Sequence, residues 1–370
     1  MRRGISTALA LLVLLGLLVS SACQPSAPAP EKKAEAPKAV TKTEAPKAET
    51  KAQAPKAETK TEPPKTEAKK AEAPKAEKPE VSKIRLGTIP IAPLATMLVA
   101  DKLGYFKDEG LTYEATSMAG GAVSLPAVTA GKLEFAYAAF PSIPLGRSEG
   151  FDYVVVVGGN SSQKTRPDAA TLFVAQDGPI KSLKDLEGKR IAINVINSIN
   201  WLYVREFLDK NGIDPKKVNF VEIGFPQMAD LLANKQVDAV FNTEPFTTIM
   251  NDSGKFIALA YPYVDVQPGT NIAHWVASEK WVKANPITTR KFARAITRAI
   301  DYLNASRDEQ VKFIAEYTKG DVNLLKKATL DLYVAKADVT SLQNMTDLML
   351  KHGMLKQKVD IAPFIWETAK

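Results

Sequence analysis

Residues 81–139 read VSKIRLGTIPIAPLATMLVADKLGYFKDEGLTYEATSMAGGAVSLPAVTAGKLEFAYAA. Strand-like and helix-like stretches alternate along this segment. Residues 84–89 form a short apolar run of strand character. Residues 94–103 follow as a helix that Gly104 terminates. Residues 111–117 read as a second strand. Gly120 and Gly121 then open a helix that carries Leu125 and Val128, and residues 133–139 give a third strand. A fourth strand is expected at 153–157. The β-α-β-α-β order predicts a parallel sheet covered by helices.

Further along, the pattern restarts. A short helix is expected at 183–186 and a strand at 190–194. Ser198 can cap a helix that runs to about residue 211, where Gly212 stops it. Strands at 218–223 and 237–241 flank a helix at 227–233. The last third is helical: Phe292, Ile296, Ala299, Ile300 and Leu303 share one face, with Arg290, Arg294 and Arg298 elsewhere. Two successive α/β units predict two lobes, each with its own sheet.

The chain has 370 residues, and its beginning differs from this body. Arg2 and Arg3 precede an apolar run at 8–19, too short to span a bilayer comfortably. Ser20, Ser21 and Ala22 lead to Cys23, the single cysteine, so no intrachain disulfide is possible. Residues 1–23 therefore read as an export signal. A cysteine at this place resembles a lipobox, with Cys23 lipidated as the mature N-terminus. Ser20 stands where a lipobox usually has Leu or Val, and ordinary cleavage after Ala22 is the other reading. Residues 24–80 repeat the unit EAPKAxTKx, interrupted by Pro37, Pro46, Pro55, Pro64 and Pro74. Such a composition has no apolar face to bury, so it reads as a solvated, disordered spacer. In polyproline form its reach is at most roughly 175 Å, which suits a membrane tether.

The formal net charge is +8. Arg2 and Arg3 supply two positives and residues 24–80 a net three, which leaves close to +3 for the body, without Lys/Arg blocks. Nucleic acid is not an expected partner. With one Cys and two His, no metal site is expected. There is no GxSxG, Walker or HExxH motif, and no catalytic set emerges. His274 lies in an apolar run and reads as a satisfied buried histidine. His352 ends a polar helix and reads as a surface residue.

Ligands of open α/β sheets sit at the carboxyl ends of the strands. That rule selects Ile91, Met118, Gly120, Gly121, Phe140 and Asn160 in the first unit. In the second it selects Asn194, Ser198, Asn200, Trp201, Phe225, Asn242 and Glu244. Gly120-Gly121 is either an anion-receptive turn or a plain one. Trp201 is either core or a stacking platform. Glu244 precedes Pro245, which places it at an N-cap, where its carboxylate either meets a ligand or complements the helix dipole.

Residues 100–111, ADKLGYFKDEGL, resemble the A-x-x-x-GYF-x-x-EGL signature of solute-binding proteins of nitrate, sulfonate, taurine and thiamine-precursor transporters. AGKLE at 130–134, SLKDLEGKR at 182–190, QVDAV at 236–240 and EPF at 244–246 resemble further elements of the same family, in the same order. The resemblance implies two Rossmann-like lobes with a hinge, the type II periplasmic-binding fold. It places one lobe at 81–175 with 268–370 and the other at 176–267, with crossings near 173–176 and 263–271. It implies no enzyme and no cofactor, but a monomeric, extracytoplasmic binding component that delivers a small organic molecule or anion to an ABC permease. Two rivals remain: a thiamine-precursor enzyme on the same fold, and a binding module that feeds a sensor.

Overall fold

The computed structural model describes residues 77–370. The export signal, Cys23 and the spacer up to residue 76 lie outside the described residues. Two sheets organise the body. The first contains β1 (Lys83–Thr88), β2 (Thr112–Ser117), β3 (Phe135–Ala139) and β4 (Tyr153–Ser161). The second contains β5 (Thr171–Ala175), β6 (Arg190–Ile193), β7 (Asn219–Glu222), β8 (Ala239–Asn242) and β9 (Phe256–Ala260). The chain then returns to the first sheet through β10 (Asn271–Ser278) and β11 (Leu332–Tyr333).

The strand order is β11-β4-β10-β3-β1-β2 in one sheet and β7-β6-β8-β5-β9 in the other. The two share a plan. In each, two βα connections build three parallel strands, β2-β1-β3 and β7-β6-β8. In each, the fourth position is an antiparallel strand that has just crossed from the other lobe: β5 beside β8, and β10 beside β3. The sheets are therefore mixed, where the sequence pattern predicts parallel ones. β5, β9 and β10 pair antiparallel, β5 and β10 with strands remote in sequence, and the alternation rule passes over them. The first crossing also lies earlier than expected. Residues 171–175 pair with β8 and β9, so the lobes part between Ser161 and Thr171, not at 175/176.

Side chains from the inner faces fill each lobe. In the first, Phe135 stacks on Phe292 at 4.0 Å between ring centroids, and Trp275 meets Phe292 edge-on at 5.3 Å. Phe292, Ile296, Ala299, Ile300 and Leu303 all lie buried on the helix Pro286–Ala305. Each of these side chains except Ala299 contributes roughly 1.5–3 kcal/mol through burial. That helix starts at Pro286, and Glu80 accepts from the free N–H groups of Ile287 (3.0 Å) and Thr288 (2.7 Å). The ordered body thus includes Glu80, a residue that composition assigns to the spacer. In the second lobe, Tyr263 meets Tyr203 and Phe241 edge-on at 5.2 and 5.1 Å.

The helix Val339–Lys351 follows β11 in sequence yet reaches across to the second lobe. Lys351 pairs with Glu206 at 2.6 Å and with Asp209 at 2.7 Å. His352 Nε2 lies 2.7 Å from Glu206 Oε2, and its side chain is buried where a surface position was expected. His274 is fully buried, but neither ring nitrogen has a partner, so it is not the satisfied histidine expected. Burial pushes it down to about 3, which keeps it neutral. Among the described residues no helix is long and apolar enough to cross a membrane, and no acidic, His or Cys cluster is placed to hold a metal.

Candidate functional site

A pocket opens between the two sheets. Ile89, Ile91 and Pro93 enter it from the turn after β1. Tyr137 and Ala139 come from β3, and Asn160 from β4. The opposite wall is Asn194 after β6, Ile199 and Asn200 from the helix Ile199–Lys210, Phe225, and Thr243 after β8. Tyr263, Ile272 and Ala273 close it from the second crossing and β10. The parallel strands deliver their carboxyl ends to the gap because each βα turn must sit there.

The polar groups in this pocket are tied to one another. The Tyr137 hydroxyl donates to Asn160 Oδ1 at 2.7 Å, and Asn160 Nδ2 donates to Asp331 Oδ1 at 2.6 Å. Asn200 Nδ2 donates to Asn194 Oδ1 at 3.0 Å, and the Tyr263 hydroxyl donates to Asn200 Oδ1. These bonds fix both amide orientations. Asn194 Nδ2 has no partner among the described residues, which leaves an N–H pair for a ligand. Burial pushes the hydroxyls of Tyr137 and Tyr263 well above the usual tyrosine range, so both remain donors.

Of the residues selected from sequence, Ile91, Asn160, Asn194, Asn200 and Phe225 line this pocket. Gly120 stands at its edge: a Cβ there would lie 3.6 Å from both Asn194 Nδ2 and Val195 Cγ2, across the lobe boundary. Gly121 packs inward, where a Cβ would come within 2.6 Å of Ser142 Oγ. Ser198 is an N-cap that accepts from Trp201 N and steadies Asn194. Asn242 is buried and structural, donating to the Phe225 carbonyl at 3.2 Å. Met118 and Phe140 do not line the pocket; Phe140 is core, edge-on to His274. Trp201 faces away, with its ring near Phe220 and the Arg205 guanidinium 4.3 Å above it. In a 3.6-residue turn, Asn200 and Trp201 cannot share a face, and Asn200 takes the cleft.

Glu244 needs a larger correction. The Glu244–Pro245 peptide is cis, and Pro245, not Glu244, holds the N-cap position of Phe246–Asp252. The carboxylate turns behind the pocket wall, accepting from the Thr248 hydroxyl at 2.7 Å and the Thr248 N–H at 3.2 Å. There it joins Asp168 and Asp331. The three are 2%, 3% and 5% exposed, so all three are desolvated. Burial pushes Glu244 to about 7 and Asp168 to about 6. Burial, and then the charges of Asp168 and Glu244, raise Asp331 to about 7. Asp168 Oδ2 and Asp331 Oδ2 have no hydrogen-bond partner. Sequence reasoning missed Asp331, Tyr137 and Tyr263, because none follows a strand of the βα repeat.

Two sheets of one strand plan, joined by two crossings, with a pocket between them, define the class of two-lobed solute-binding folds. Within that class the chain belongs to the NMT1/THI5-like family, whose model matches residues 92–310. A Brucella abortus relative named "Putative binding protein" is 24% identical over 274 residues, covering 71% of this chain and 83% of its own. The alkanesulfonate-binding protein SsuA from Xanthomonas axonopodis superposes with a TM-score of 0.66 at 17% identity, covering 78% of this chain and 99% of its own. The periplasmic nitrate-binding protein NrtA from Synechocystis gives 0.66 at 14% identity, covering 77% and 85%.

Proposed function

We propose that this chain is the extracytoplasmic binding component of an ABC importer, which captures a small organic solute between its lobes and delivers it to a permease. One observation carries the reading. Fixed amides and hydroxyls from both lobes converge on one pocket, with an unpartnered Asn194 amide inside it. Relatives named for sulfonate and nitrate binding share the fold, which supports a transport role. Ile91, Asn160, Asn194, Asn200 and Phe225 are the proposed ligand contacts. A relative and neighbouring structures named as binding proteins support a binding role over the enzyme reading.

Ligand-screening calorimetry and thermal melts on the full chain test this. A solute that raises the melting temperature in the parent, but not in Asn200→Ala, is the expected result. Turnover of a bound compound, seen by mass spectrometry, would favour the enzyme. A monomer tethered through lipidated Cys23 completes the proposal. Membrane fractionation of Cys23→Ala tests the anchor, and a variant that stays equally membrane-bound removes it.

A further inference from the structure

Among the described residues the pocket lining itself carries no charged side chain. Arg166, in the first crossing, pairs with Asp265 at 2.5 Å, and Lys327, in the C-terminal region, pairs with Asp252 at 2.5 Å. Behind the wall stands Asp331, bonded to Asn160, while Asp168 and Glu244 line a neighbouring cavity that Lys327 and Tyr261 also line. Glu244 follows the pocket residue Thr243 in sequence. The Glu244 carbonyl also accepts from the Ala92 N–H at 3.2 Å, between the pocket residues Ile91 and Pro93. These carboxylates come from the first crossing, the second lobe and the C-terminal return, and two of their oxygens are unpartnered.

Once ionised, these carboxylates repel an anion placed in the pocket, since buried charges are weakly screened. Two features favour an acceptor group on the ligand, the N-terminus of Ile199–Lys210, where Ser198 Oγ already occupies the Trp201 N–H, and the Asn194 amide; neither carries a full charge. The pocket surface itself combines the aromatic residues Tyr137, Phe225 and Tyr263 with neutral amides. Aromatic faces backed by negative potential suit an organic cation, which loses less on desolvation than a small ion.

Resting on the cleft as the solute site, we propose that its ligand is a small organic cation of ammonium type, selected by the aromatic lining and by the carboxylates behind Asn160 and Thr243. This separates the chain from relatives named for sulfonate and nitrate. Asp331 is then a specificity residue that acts through Asn160 without touching the ligand.

Matched probe sets test it on the full chain: butylammonium, butanol and butanesulfonate, then benzylammonium, benzyl alcohol and benzoate. Calorimetry and thermal melts read binding. The expected result is stabilisation by the ammonium members only. In Asp331→Asn and Asp168→Asn, ammonium affinity should fall about tenfold while the preference over alcohols narrows. Equal or stronger binding of an alcohol, sulfonate or benzoate overturns the charge assignment and leaves the cleft standing. Unchanged ammonium preference in both variants also overturns it. Failure of every probe of either set counts against the cleft as a site for solutes of this size, and the cation proposal falls with it.

Discussion

Asp331→Asn should make the ligand-free protein more stable at pH 8, although it removes a charged hydrogen-bond acceptor. Asp331 is buried, its Oδ1 accepts from Asn160 Nδ2 at 2.6 Å, and its Oδ2 has no partner. Burial first, then Asp168 and Glu244, lift its carboxyl from 3.8 to about 7. A tenfold change in proton affinity between the folded and unfolded chain corresponds to about 1.36 kcal/mol, so ionising Asp331 inside the fold costs at most roughly 4 kcal/mol at pH 8. The sign follows from proton binding. Between the ordinary and the raised value the native chain holds more protons than the unfolded one. The contribution is therefore intact below about pH 4 and lost as pH rises through about 7. Asparagine keeps the acceptor for Asn160 and removes the ionisation. Its new N–H pair has no ready partner, which costs roughly 1–3 kcal/mol. A net gain of about 1–3 kcal/mol at pH 8 is expected, at about 2–4 °C per kcal/mol. Near pH 5 the gain should vanish or reverse. Calorimetric unfolding at both pH values decides. A variant less stable than the parent at pH 8, or a difference that does not change with pH, refutes the reasoning. Asp168 and Glu244 titrate in the same window, so the variant should retain part of the parent's pH dependence.

Gly120→Phe should act as a wedge. A Cβ fits at 3.6 Å from Asn194 and Val195, but a ring does not, so solute affinity should fall at least tenfold while the ligand-free melt stays nearly constant. Glu80→Ala should lower stability by about 1 kcal/mol through the lost cap on Pro286–Ala305, whereas a chain beginning at Pro79 should melt like the parent. Urea titration separates the two. Trp201→Ala should cost a few kcal/mol of stability and leave solute binding intact; Asn200→Ala, which also strands the Tyr263 hydroxyl, should do more harm to binding. Equal binding losses in both would return Trp201 to the pocket.

The alternation of strand and helix in 81–139 was enough to place β1, β2 and β3, because each strand there is followed by its own helix and the turn residues mark the joints. The same rule failed where the chain crosses between lobes. β5 and β10 enter their sheets antiparallel to strands far away in sequence, a pairing that local alternation does not encode; β10 joins residues 273–276 to 136–139. The site followed the same division. Asn160, Asn194 and Asn200 could be found because position after a strand is a local property. Glu244 was found but misplaced, since a proline after it suggests a helix start and says nothing of which way the carboxylate turns. Asp331 was invisible. Its role depends on Asn160, 171 positions earlier, and on two carboxylates from other segments.

The three buried carboxylates pose a question of stability against use. A buried ion without a partner destabilises the fold that holds it, and one substitution per site would relieve the penalty. Structural need does not explain them. The Thr248 bonds of Glu244 and the Gln163 N–H bond of Asp168 could each be accepted by a neutral amide of the same shape. Placement gives a better account. Asp331 is bonded to the pocket residue Asn160 and Glu244 follows the pocket residue Thr243, one from each lobe, so both carboxylates stand within one residue of where a solute would sit. A cation entering there would add a countercharge on the Asp331 side and would favour the ionised carboxylates. Binding and ionisation are then linked: a cationic solute should bind more tightly as pH rises through about 6 to 7, and an anionic one more weakly. The charge that weakens the ligand-free protein is the same charge that would favour a cationic ligand.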